Sequence, residues 1–244
     1  MNHFLLSLMG LLTGLVDSIV GGGGLISLPT LSIIIAPGAE AIGTNKIVGS
    51  MGALMALIVY ARKGHLKWRE GLSFCLVCAV GSFFGSSLAP YVSKEFFRYL
   101  MLIMCPVILY IVWNRDRFFK EREDFKKPHY SLFFLAALAS GFYDGFFGPG
   151  GGTFMFLGLF LGTGYPLLPS IAISKMANTF SATTALITYS HNGYVHWKEG
   201  FIMASGMVVG SFFGATYATK NITKIIRPML TLVVVLLMLK LIWF

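Results

Sequence analysis

Charge is scarce in this chain of 244 residues: Asp, Glu, Lys and Arg make up 12% of it, against about a quarter in an ordinary soluble domain. That shortage excludes a typical water-soluble globular protein. Acidic residues are the rarer sign, 10 against 19 Lys and Arg, which leaves a net charge of +9. Cysteine is nearly absent too. The three present (Cys75, Cys78 and Cys105) lie inside apolar runs and form no disulfide framework. There is no GxxxxGK[ST] loop, which argues against ATP-driven work. His and carboxylates are too few and too scattered for a metal set or a nucleophile–base pair, so no catalytic residue, metal or cofactor is expected. Apolar residues fill the space: 56% of the chain, with 22 Phe, 10 Tyr and 4 Trp and a mean hydropathy of +0.75. A disordered chain does not carry such apolar mass. What remains is a polytopic membrane protein, whose positive excess reports orientation across the bilayer and not a nucleic-acid partner.

A helix needs about 20 apolar residues to cross the hydrocarbon core. Runs able to do so lie near 3–36, 41–61, 71–91, 95–113, 130–165, 170–190, 200–219 and 225–244. The first lacks the basic start and small-residue cleavage site of a signal peptide and reads as a span. One stretch alone resembles a linker, 114–129, with six Lys/Arg and four Asp/Glu. It divides the chain into a first transmembrane repeat (1–113) and a second (130–244), with a charged cytoplasmic linker between them.

The halves are copies. Tyr60–Gly85 and Tyr189–Gly214 share eleven of 26 positions at an offset of 129, including Trp68/Trp197, Glu70/Glu199 and the whole of GSFFG. Upstream, GLVDSIVGGGG (Gly14–Gly24) matches GFYDGFFGPGG (Gly141–Gly151) at an offset of 127, which places Asp17 on Asp144. Lys46 falls on Lys175 and Arg98 on Arg227. Internal duplication of this kind is a common plan among secondary transporters.

The first run of each half, about 34 residues, is too long for one span, and its glycine cluster cannot hold a helix. A hairpin fits, followed by three full spans, and an odd number of full spans inverts the second copy. Inversion puts Arg62, Lys63, Lys67, Arg69, the six basic linker residues, Lys220, Lys224 and Arg227 on the cytoplasmic side, with Lys94, Arg98 and Lys198 outside. A parallel repeat also obeys the positive-inside rule, less strongly. The expected fold is therefore all-α: a polytopic membrane protein of two homologous halves, inverted, each a glycine-broken hairpin plus three helices.

Broken helix inside a membrane is tolerated where it lines a cavity. The breaks at Gly21–Gly24 and at Gly148, Gly150, Gly151 and Gly152 offer backbone amides, which suit an anion, although glycine also permits close helix packing. An intramembrane carboxylate is a functional candidate by default, so Asp17 and Asp144 are read as coupling groups, as structural charges, or as caps on the glycine amides. Lys46 and Lys175, flanked by Thr44 and Asn45 in one half and by Ser174 and Asn178 in the other, are read as substrate contacts. Snorkelling to the interface is the plainer alternative. Trp68 and Trp197 suit headgroup depth, GSFFG (81–85, 210–214) suits close helix packing, and the Cys75-x-x-Cys78 spacing is ordinary packing. His191 and His196 flank a loop and carry no assigned role.

With these residues in hand, the chain resembles the sulfite exporter TauE/SafE family of membrane permeases. The likeness rests on Gly14–Gly24 and Gly141–Gly152, on Gly43-Thr44-Asn45-Lys46, on Lys175-x-x-Asn178, and on the twin Trp-[Arg/Lys]-Glu-Gly and GSFFG blocks. It implies a prokaryotic, multi-pass protein of the cytoplasmic membrane that moves sulfite, a sulfonate or a related small anion. It also marks the glycine breaks, Asn45, Lys46, Lys175 and Asn178 as the pathway. The expected activity is secondary transport by alternating access, with a passive anion or small-solute channel as the rival. The expected partners are the anion and the lipid bilayer, and a homo-oligomer is compatible with the sequence.

Overall fold

A computed structural model describes residues 3–35, 38–93 and 130–243, with side chains described up to Lys220. The span expected at 95–113 and the linker at 114–129 lie outside the described residues. Among the described residues the regular structure is helical. The elements are α1 (His3–Val20), α2 (Gly24–Ile34), α3 (Ala39–Arg62), α4 (Trp68–Leu88), α5 (Tyr130–Phe146), α6 (Gly151–Leu157), α7 (Leu167–His191) and α8 (Trp197–Trp243). A single π-turn, Gly158–Gly162, continues α6.

Three described helices are both long and apolar enough to cross a membrane: Ala39–Arg62, Trp68–Tyr91 and Trp197–Lys220. The lipid-facing reading of their outer surfaces follows from what is exposed. Leu72, Leu76, Phe83 and Phe84 of α4 and Phe201, Phe212 and Phe213 of α8 all stand open on the outside, as they would in hydrocarbon and not in water.

Each glycine break turns the chain back on itself. Ser7 of α1 lies against Ser205 of α8, and Thr44 of α3 accepts a hydrogen bond from the His196 amide just before α8. Helices α1, α3 and α8 thus begin at one end of the bundle, so α2 must return the chain that α1 carried away. The second half repeats this with α5, α6 and α7. Its α7 begins beside the start of α4, where Ile173 and Met176 neighbour Gly71.

Helices exchange partners between the halves. α1 packs on α8, and α5 packs on α4. Both seams are made of glycines: a Cβ on Gly10 or Gly14 would strike the Met203 or Met207 carbonyl, and one on Gly141 or Gly145 would strike the Cys78 or Ser82 carbonyl. The second and first glycines of GSFFG, in both copies, stand in these seams, Gly81 and Gly85 on α5 and Gly210 and Gly214 on α1. Small residues let backbones approach where the solvent offers no hydrophobic drive. Matching helices α3 and α7 cross the centre in opposite directions. Gly43, near the start of α3, meets Tyr189 in the last turn of α7 and Tyr194 just beyond it. By the repeat, Gly71–Met176 on one side answers Gly200–Ile47 on the other.

One expected break is not taken. The runs at 200–219 and 225–244 lie on a single helix, α8, of 47 residues, about 70 Å by its rise per residue. The physical reason is local. No glycine or proline stands among 215–227, so α8 continues past Lys220 and Lys224, and the first residue in it that cannot donate a helical bond is Pro228.

Candidate functional site

The two glycine breaks meet at the centre of the molecule. A Cβ placed on Gly21 would lie 2.5 Å from the Gly152 carbonyl carbon, and one on Gly24 would lie 2.9 Å from Pro149 Cα. The Thr153 hydroxyl donates to the Gly21 carbonyl at 2.7 Å and ties one break to the other. Gly21 and Gly148, which correspond in the repeat, both hold positive φ, +78° and +97°. Side-chain-bearing residues adopt that conformation at a cost.

Around this junction four buried charges pair crosswise. Lys46 of the first half sits 3.3 Å from Asp144 of the second, and Lys175 of the second sits 3.1 Å from Asp17 of the first. Each lysine also donates to the backbone carbonyl of the aspartate it faces. Lys46 is 3% exposed and Lys175 0%, which rules out the snorkelling alternative for both. Charges this deep persist only when paired and hydrogen-bonded.

The carboxylates also hold the breaks. Asp17 Oδ1 accepts from the Gly22 and Gly23 amides at 3.1 and 3.0 Å. Those two amides are therefore engaged by the protein's own carboxylate, the capping role weighed from the sequence. Asp144 Oδ2 accepts from the Ser181 hydroxyl at 2.6 Å.

A cavity of about 30 Å³ opens between the breaks, room for about two water molecules. Its wall contains Asp17, Gly22, Gly24, Asn45, Lys46, Asp144, Gly148, Gly150, Gly151, Gly152 and Asn178. These are eleven of the sixteen residues named from the sequence. Asn45 is buried, and its Oδ1 has no hydrogen-bond partner although it stands at this wall. An unpaired buried amide oxygen is costly, and exchange of its oxygen and amino group would present donors to the cavity.

Five named residues are not on the wall. Gly21 and Gly23 form the turn behind it. Lys175 is enclosed with Asp17. Ser174 donates to the Ile171 carbonyl within its own helix. Thr44 accepts from His196 N–H at 2.9 Å and so anchors the start of α8. His196 also meets Glu40 at 3.1 Å near the surface. Ser27, Gly49, Ala182 and Met207 complete the wall, and Ser181 supports Asp144. Sequence reasoning missed these five. For two of them the repeat held a signal, since Gly49 corresponds to Asn178 and Gly52 to Ser181. Positions where the copies differ near the site are where the site is asymmetric.

A helical membrane protein with a charged, glycine-walled cavity at the meeting point of two repeats has the architecture of a transporter or permease. The comparisons give the family. The family model for the sulfite exporter TauE/SafE matches residues 6–241, and the chain belongs to that family, one of membrane transporters and not of enzymes. It is similar to the probable membrane transporter protein ORF9 of Sinorhizobium sp, 33% identical over 231 residues that cover 94% of this chain and 88% of that one. It is similar also to the probable membrane transporter protein YfcA of Escherichia coli K12, 30% identical over 239 residues, with 96% and 87% covered. The probable membrane transporter protein YunE of Bacillus subtilis is 25% identical over 267 residues, with 97% and 96% covered. No solved structure matches.

Proposed function

We propose that this protein is a secondary transporter of a small anion, of the class of sulfite, sulfonates and related sulfur oxyanions, in the cytoplasmic membrane of a prokaryote. The observation that carries the reading is the convergence of Lys46, Asn45, Asn178 and both aspartates on one small cavity between the two glycine breaks. Lys46 supplies the positive charge, and the carboxamides of Asn45 and Asn178 supply donors. The amides of Gly150 and Gly152, on the wall of the same cavity, complete the cradle. The antiparallel run of α3 and α7 supports an inverted repeat, with the site between copies facing opposite ways. Rocking of one half on the other gives access from alternate sides.

The test is flux in proteoliposomes, with radiolabelled sulfite as the probe. Wild type accumulates the label and shows counterflow, and Lys46→Ala abolishes both. Flux undiminished in Lys46→Ala removes the site from the pathway. Saturable uptake without counterflow would favour a channel.

A further inference from the structure

The two crossed ion pairs are repeat-related, yet the groups that support them differ in kind. Asp17 receives two backbone amides, from Gly22 and Gly23. Lys175 donates to its other oxygen, Oδ2, at 3.1 Å; amides and an ammonium only donate, so a proton on Asp17 would meet no acceptor among these partners. Its lysine, Lys175, is wholly enclosed and forms no part of the cavity wall.

The second copy is built otherwise. Pro149 stands where the first copy has Gly22, and proline has no amide to give. The Ser181 hydroxyl serves Asp144 instead, at the position where the first copy has Gly52. A hydroxyl donates to a carboxylate or accepts from a carboxylic acid with equal ease. When it accepts, its own proton has a place to go, for a helical serine or threonine rests on the carbonyl one turn back, as Ser86, Ser140 and Thr179 do here.

Among the described residues, one cation faces Asp144. Lys46 faces it from α3 at 3.3 Å. From α7 come Ser181 and Tyr189, whose hydroxyl is held by the Gly145 carbonyl. From α4 comes Cys78, whose thiol lies on the Ala137 carbonyl. The neighbouring α6 segment, Gly151–Leu157, has no titratable side chain. Asp17 stands across the same cavity.

Resting on the transport reading above, we infer that Asp144 is the proton-carrying group of this transporter and Asp17 a permanent charge. A proton from water in the cavity binds Asp144 Oδ2, and Ser181 turns from donor to acceptor. Lys46, released from its carboxylate, takes the incoming anion. Release of the anion and the proton restores the pair. One proton and one negative charge thus enter and leave together, and the site, with two lysines and two aspartates, stays electrically balanced throughout.

Infrared difference spectra of the purified full chain, recorded between neutral and acid pH, test this. The protonated-carboxyl C=O band of the wild type has a component that disappears in Asp144→Asn and persists in Asp17→Asn. In Ser181→Ala that component moves in frequency and in midpoint pH, which a purely structural serine would not cause. At fixed pH, added sulfite enlarges the component in the wild type. A component that survives Asp144→Asn, or is lost in Asp17→Asn and kept in Asp144→Asn, overturns the assignment. Should either aspartate variant fail to fold, an unchanged band in Ser181→Ala overturns it alone. If the component follows pH as stated but ignores sulfite, the proton assignment stands and the anion reading is what fails.

Discussion

Tyr60 and Tyr189 perform the same act on the two halves: each donates its hydroxyl to a carbonyl in the last turn of its own half's first helix. Tyr60 reaches Ser18 at 3.0 Å and Tyr189 reaches Gly145 at 3.2 Å, and the four positions correspond in the repeat. Carbonyls at a helix end lack intrahelical donors, and in a buried place someone else must supply them. Here a tyrosine from the third helix holds the end of the first just before it breaks. Tyr60→Phe and Tyr189→Phe should each cost about 1–3 kcal/mol, read as a fall of about 2–4 °C in Tm per kcal/mol for a chain of this size. Thermal unfolding in detergent measures it, and unchanged Tm in both variants would contradict the role given to these hydroxyls.

The glycine seams predict a contrast between positions of one residue type. Adding a methyl at Gly206 or Gly145 drives it within 1.8 or 2.2 Å of a backbone oxygen on the facing helix. Neither backbone can retreat without parting α1 from α8 or α5 from α4, so Gly206→Ala and Gly145→Ala lower Tm and yield. Gly49, inside α3, meets nothing within 4 Å and lines the cavity. There Gly→Ala gains about 0.5–1 kcal/mol from helix propensity while its methyl narrows the site. The expected result is a more stable protein with weaker anion flux.

The crossed ion pairs predict strong coupling. Removing one partner of an enclosed pair strands a buried charge, at about 3–5 kcal/mol, so Lys175→Met should unfold the protein readily. Adding Asp17→Leu removes the stranded carboxylate and should recover much of that loss, although the Gly22 and Gly23 amides then lose their acceptor. A double-mutant cycle on Tm reads the interaction. Additive losses would mean that the two side chains act independently.

Pro149 and Ser181 should behave as a compensating pair. Ser181→Ala deprives Asp144 of a donor, and Pro149→Gly returns the backbone amide that the first copy has at Gly22. The double variant is expected to be more stable than Ser181→Ala alone, with stability measured by chemical denaturation. Failure of Pro149→Gly to recover any of the loss would show that the second break needs proline for its shape alone.

Much of this was legible in the chain before any coordinates. Asp17, Asp144, Lys46 and Lys175 stood out because a charge inside an apolar run is expensive and a repeated one is not an accident. The hairpins followed from run length and glycine chemistry. Pairing was not legible. A repeat says that Asp17 and Asp144 are equivalent, yet nothing in the spacing says that each serves the other half's lysine. Thr44 adjoins Asn45 and Lys46 in the chain, which by itself suggests a binding residue. On a helix, adjacent residues point in different directions, and Thr44 faces the start of α8 instead. Asn45 and Asn178 are not repeat partners: their counterparts are Ser174 and Gly49. The cavity is lopsided for that reason. The length of α8 is not legible either: Lys220, Lys224 and Arg227 suggest a turn between two spans, and the helix runs on through them.

Because each lysine is answered by the opposite half, neither half is self-sufficient. Expressed alone, residues 1–113 would bury an ammonium and a carboxylate held on separate helices, each set against a surface made for something absent. A single-copy progenitor could have met that demand in one way, by having two molecules clasp each other and trade these contacts. Within one chain the two copies are free to differ, and Pro149 and Ser181, opposite Gly22 and Gly52, are places where they do.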